Sequence, residues 1–120
     1  MRLTILLSLL FVLVPAMDAA DTRPPSVAIS KVDKQKKGKL TVLDFFIRAS
    51  DNEDVTSLFY RGAVDGKQGP WRRFPYYDFA GYVNHIPITV DCDRFTFEVK
   101  SVDRARNESV VRKKTFTNLR

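Results

Sequence analysis

Histidine and cysteine carry much of the acid–base and nucleophilic chemistry of proteins, and this chain has one of each, His85 and Cys92. A nucleophile needs a base within hydrogen-bond reach. The two residues lie seven positions apart with Pro87 between them, and if the segment is a strand they need not meet. A zinc site takes three or four nitrogen or sulfur ligands, which one His and one Cys do not supply. No glycine-rich phosphate loop and no nucleophile elbow occurs. The residues point away from an enzyme, and no cofactor is expected.

Two other clusters carry binding chemistry. The first is acidic: Asp51, Glu53 and Asp54 in one segment, Asp103, Asn107 and Glu108 in another. In a β-sandwich these two loops share an end, and carboxylates with an amide oxygen suit a hard cation such as calcium. Asp51, Asp54, Asp103 and Asn107 are the candidate ligands. The competing expectation is that Asp51 and Asp103 accept backbone N–H bonds within their own turns. It is favoured because Arg104 and Arg106 would oppose a divalent cation. The second cluster is aromatic: Trp71, Phe74, Tyr76, Tyr77, Phe79 and Tyr82, interleaved with Arg72, Arg73 and Asp78. Exposed rings beside polar groups make platforms for proteins or sugars. Arg72, Arg73, Tyr76, Tyr77, Phe79 and Tyr82 are the candidate partner-contact residues, while Trp71 is expected to fill the core. Replacing Tyr76 and Tyr77 by Ala should abolish partner capture and leave the fold intact.

Strands and turns must position these residues. Phe95, Phe97, Val99 and Ser101 share one parity, with Thr96, Glu98 and Lys100 between them; side chains on a strand alternate between faces, so one face is buried and one wet. Residues 40–50 repeat the pattern through Leu43, Phe45, Ile47 and Ala49. Further strands are expected at 27–32, 55–64, 71–74, 82–90 and 110–116. Turns are expected at 33–38, with Gly38 left-handed, at 51–54, and at 65–70, and an aromatic loop at 76–81. Seven short strands with turns at this spacing predict an antiparallel β-sandwich.

The order Ala49-Ser-Asp51, Val55, Tyr60-Arg61, Asp65-Gly66, Trp71, Ile88, Phe95-Thr-Phe97, Ser101-Val-Asp103 and Asn107-Glu-Ser109 resembles the bacterial Ig-like and fibronectin type III-like modules of exported proteins. The resemblance runs roughly over 25–116 and implies a seven-stranded Ig-like sandwich that serves as a spacer or binding module. One position departs from it. Arg106 stands where such modules usually carry Gly, so either Arg106 accepts an unusual backbone or the turn differs.

Arg2, the apolar run 3–15, and the small residues Ala16, Ala19 and Ala20 describe a secretory signal peptide over about residues 1–20, cleaved after Ala16, Ala19 or Ala20, with a short signal anchor as the rival reading. The run is shorter than the roughly 20 apolar residues of a spanning helix, so the mature chain, 21–120, is expected to have no transmembrane span. Removing the leader takes one base, Arg2, and one acid, Asp18, so the net charge of +6 persists. Lys31, Lys34, Lys36, Lys37 and Lys39, with Arg112, Lys113 and Lys114, favour anionic partners or simple solubility. The expected location is periplasmic or secreted, where nucleic acid is a poor partner. Cys92 alone forms no internal disulfide; the alternatives are a buried or turn thiol and an intermolecular bridge. The reading is an exported, non-catalytic binding module for a protein or an anionic cell-surface polymer. The alternatives are a structural spacer or envelope-complex subunit, and a polysaccharide-binding module.

Overall fold

The computed structural model describes residues 23–50 and 54–120. The expected leader and its expected cleavage sites fall outside the described residues, as do Asp51, Asn52 and Glu53. The described chain is all-β. Its strands are β1 (Ser26–Lys37), β2 (Leu40–Ser50), β3 (Val55–Val64), β4 (Lys67–Gln68), β5 (Arg72–Pro75), β6 (His85–Val90), β7 (Phe95–Asp103) and β8 (Arg112–Phe116). β1, β2 and β6 form one antiparallel sheet in that order; β4, β3, β7 and β8 form the other, with β5 also paired to β3. No helix among the described residues is long and apolar enough to cross a membrane.

Alternation builds the core directly. In β2 the side chains of Thr41, Leu43, Phe45, Ile47 and Ala49 are buried, and in β7 those of Phe95, Phe97, Val99, Ser101 and Asp103. The two inward faces meet. Phe45 of the first sheet stacks on Phe97 of the second at 3.8 Å between ring centres and 9° between planes, and Phe116 closes edge-on against Phe45 at 5.8 Å. Gly62 in β3 is needed here, because a Cβ at that position would sit 2.6 Å from the Phe95 ring. The result is a sandwich-like pair of sheets held by aromatic packing, with no internal disulfide.

β1 runs farther than its sequence predicts. Residues 33–37, expected as a turn, pair with β2 through Lys37↔Leu40, which leaves only Gly38 and Lys39 as the loop. Gly38 has φ 63°, the left-handed residue a two-residue hairpin requires. The lysines misled because they mark an edge strand, wet on both sides and guarded by charge. The register also shifts between Ile29 and Lys31. That bulge changes parity, so Val27 and Ile29 before it and Val32 after it all reach the core. An eighth strand, β4, is two residues long and pairs with Ala63 and Val64. The strand expected at 82–90 begins only at His85, and that expected at 110–116 begins at Arg112.

The end of the chain is packed. Leu119 is buried; its N–H donates to Asp93 O at 3.0 Å, and its carbonyl accepts from Lys36 Nζ at 2.8 Å and Thr41 Oγ1 at 3.3 Å. Cys92 lies buried in the turn between β6 and β7. Burial pushes its thiol above the ordinary value, and the charge of Asp65 adds to the rise against an opposing effect of Arg120. The neutral thiol is therefore the native form at neutral pH. We expect it to react with a maleimide about 100-fold more slowly in native than in urea-unfolded protein at pH 7.5, since the thiolate is the nucleophile. Non-reducing gels should show monomer. Equal rates in the two states, or a reducible dimer, would contradict this placement.

Candidate functional site

The loop between β5 and β6 is built by three devices. Tyr76 crosses to the other sheet, where its hydroxyl donates to Ala49 O at 3.0 Å and accepts the Ala49 N–H at 3.0 Å. This extends the β2 edge beyond the point where β6 stops pairing with it. Asn84 is buried and pins the loop in the same way. Its Oδ1 accepts the Tyr77 N–H at 3.1 Å, its Nδ2 donates to Tyr77 O at 2.7 Å, and its carbonyl accepts the Ile47 N–H at 2.9 Å. The third device is a turn over 79–82, closed by Tyr82 N–H to Phe79 O at 3.1 Å. Gly81 holds φ 84° at its third position, as a type II turn demands.

These constraints leave three rings outside. Tyr77, Phe79 and Tyr82 are 48%, 60% and 43% exposed, with Val83 beside them at 55%. Their centroids lie 6.4, 5.5 and 4.9 Å apart. The cluster is thus a pre-formed apolar cap on a pinned loop. A groove of about 380 Å³ runs beside it, bordered by Arg48, Asp78, Tyr76, Tyr82 and Asn84.

The structure divides the sequence-derived candidates. Tyr77, Phe79 and Tyr82 come together in the cap. Tyr76 joins them in the loop, but its hydroxyl secures Ala49, so its replacement by Ala disturbs the joint between sheets as well as the surface. Arg72 and Arg73 stand apart on β5, in register with Tyr60 and Phe59. Arg72 borders a different groove with Pro87 and Ile88, and Arg73 donates from Nε to Ser57 Oγ at 3.0 Å. Val83 and Asn84 were not singled out from sequence. The Ala80-Gly81 pair was the available turn signal for this loop.

Trp71 does not fill the core. Its ring lies on the outer face of the second sheet, 4.2 Å from the Arg61 guanidinium and 4.6 Å from Lys100 Nζ. Arg61 and Lys100 alternate with inward-facing Tyr60 and Val99, and the interior beside Gly62 is already taken by Phe95. Two cations against an indole face are a favourable arrangement. The Arg61 pair with Glu98 at 3.2 Å, joined by Gln68 Nε2 at 2.6 Å, completes this outer surface.

Of the calcium candidates, Asp51 lies outside the described residues. Asp103 is buried, and its Oδ1 accepts the Asn107 N–H at 2.8 Å while Oδ2 accepts from Asn107 Nδ2 at 3.1 Å. Asp54 pairs with Arg104, and Glu108 with Lys100 at 3.1 Å. Among the described residues no three His, Cys, Asp or Glu side chains are grouped to hold a metal ion. His85 is exposed at the start of β6, with Nδ1 2.9 Å from Asp44 Oδ1 and its ring stacked on Phe46 at 5.4 Å. Cys92 is interior, beyond the other end of that strand.

The basic residues line two sheet edges. Lys31, Lys34, Lys36 and Lys37 stand on β1; Arg112, Lys113 and Lys114 stand on β8. Arg112 Nε reaches Val27 O at 3.3 Å, bridging the sheets. Comparison with family models, with curated proteins and with solved structures yields no match.

Proposed function

We propose that this chain is an exported, non-catalytic binding module of the Ig-like or fibronectin type III-like kind, meeting a partner protein through its aromatic cap. The observation that carries this reading is the mutual packing of three exposed rings, Tyr77, Phe79 and Tyr82, on a loop pinned by Asn84 and Gly81. Apolar surface of this kind is held out in water at a cost, and rigid aromatic anchors lose little entropy on contact. The strand orders β1-β2-β6 and β5-β3-β7-β8 support the Ig-like assignment, as does the motif order of the sequence. Export rests on the leader over residues 1–20.

A photoreactive residue at position 79, introduced in the native host, is expected to form a discrete adduct with one protein. The same residue at Lys67, on β4, is expected to form none. Combining Tyr77→Ala with Tyr82→Ala should lower the adduct yield by about thirtyfold while the circular dichroism spectrum stays unchanged. An undiminished yield in the double variant would dismiss the cap as the contact surface. The polysaccharide reading has one observation in its favour, the polar groove with Arg48 and Asp78 beside Tyr82. Saturable binding of a neutral glycan, lost in the same variant, would select it.

A further inference from the structure

A further groove, of about 530 Å³, lies on the opposite sheet, bordered by Ser57, Arg73, Arg104 and Arg106 and by the carboxyl-bearing Asp103 and Glu108. The neighbouring carboxyls are already engaged: Asp103 with Asn107, Glu108 with Lys100, and Asp54 with Arg104. Arg104 is thereby neutralised. Arg73 and Arg106 have no carboxyl partner among the described residues, Arg73 contributing only its Nε bond to Ser57 Oγ. Ser57 is 5% exposed. Its oxygen accepts from Arg73, and its hydroxyl proton has no acceptor among the described residues. A buried donor without an acceptor is uncommon and calls for a cause. The Arg106 backbone is also left-handed, with φ 70°. A left-handed backbone is unfavourable for any residue with a Cβ, and such strain concentrates where a side chain has a task.

We infer that this groove binds a phosphate or sulfate group, held between the guanidinium groups of Arg73 and Arg106 and receiving the Ser57 hydroxyl proton. Planar guanidinium forks match the spacing of oxyanion oxygens and stay charged at every relevant pH. The inference explains why Arg106 keeps a conformation that glycine would adopt without strain. It goes beyond the cap reading and uses none of its residues, so either can fail alone.

The test uses protein recovered from its host, titrated with sodium sulfate and then with inorganic phosphate while chloride holds ionic strength constant. Saturable shifts of the Arg73 and Arg106 Nε–Hε resonances are expected. Arg106→Gly should weaken binding about tenfold, as loss of a charge-assisted hydrogen bond does, and at the same time raise Tm by about 4 °C by relieving the left-handed strain. Arg73→Gln should weaken binding similarly, and Lys67→Gln should leave it unchanged. Vesicles containing phosphatidylglycerol, compared with phosphatidylcholine alone, separate the sources. Binding sensitive to Arg106→Gly names a lipid headgroup, and its absence beside intact sulfate binding names the free anion. Chloride-like behaviour of sulfate, unchanged affinity in Arg106→Gly, or a lowered Tm in that variant would overturn the inference.

Discussion

Phe97→Ala is expected to lower the unfolding free energy by about 4 kcal/mol, enough to leave much of the protein unfolded at 37 °C. Phe97 is fully buried, stacks on Phe45 at 3.8 Å and lies 6.1 Å from Tyr60. Its partner across the strand pair is Gly62, which has no side chain to swing into the vacated space. The surrounding rings are held from both sheets, so the cavity cannot collapse and the loss includes the cavity as well as the transfer of the ring. No disulfide restrains the unfolded chain. Urea denaturation should show the midpoint falling with little change in slope, and Tm should drop by roughly 15–20 °C. Phe97→Leu, which keeps most of the volume, should cost about 1.5 kcal/mol. A loss below about 1 kcal/mol for the alanine variant would mean that the two sheets do not share this aromatic layer.

Asp103→Ala should cost about 3 kcal/mol, the second largest effect, through hydrogen bonding rather than volume. The carboxyl accepts from both the backbone and the side-chain amide of Asn107, while Asp103 N–H donates to Asn107 O at 3.1 Å and the Arg106 N–H donates to Asp103 O at 3.0 Å. The residue thus ties a four-bond turn to the buried end of β7. The following segment returns to the same strand, with Ser109 N–H donating to Ser101 O at 2.9 Å and Ser109 Oγ accepting the Ser101 N–H at 2.8 Å. Loosening the turn therefore frees the approach to β8. The loss is expected to be equal in millimolar calcium and in EDTA. A penalty present only with calcium would restore the cation reading of Asp51, Asp54, Asp103 and Asn107.

Much of the architecture was legible in the residues. The parity of Phe95, Phe97 and Val99, and of Leu43, Phe45 and Ile47, assigned the buried faces of β7 and β2, and both are found as expected. The expectation that Asp103 bonds within its own turn also agrees with the geometry. For Arg106 two outcomes were open, an unusual backbone or a different turn, and it adopts φ 70°. Other features were not legible. The second half of β1 reads as a charged turn until the β2 edge beside it is known. Trp71 reads as core until Phe95 and Gly62 are seen to fill the interior. Tyr76 reads as one more exposed ring, yet its hydroxyl secures Ala49.

By itself, then, the order of residues determined which faces of the central strands turn inward, where Gly38 bends the chain, and which turn Asp103 closes. Each is settled within a few bonds, by the two-residue period of extended backbone or by a side chain reaching its own loop. The tertiary structure alone decided that Tyr77, Phe79 and Tyr82 share one cap, that Arg72 and Arg73 stand away from it, and that Arg73 and Arg106 border one groove. Those groupings depend on which strands become neighbours. That choice is made by summed packing across two sheets, where residues distant in sequence compete for the same interior volume.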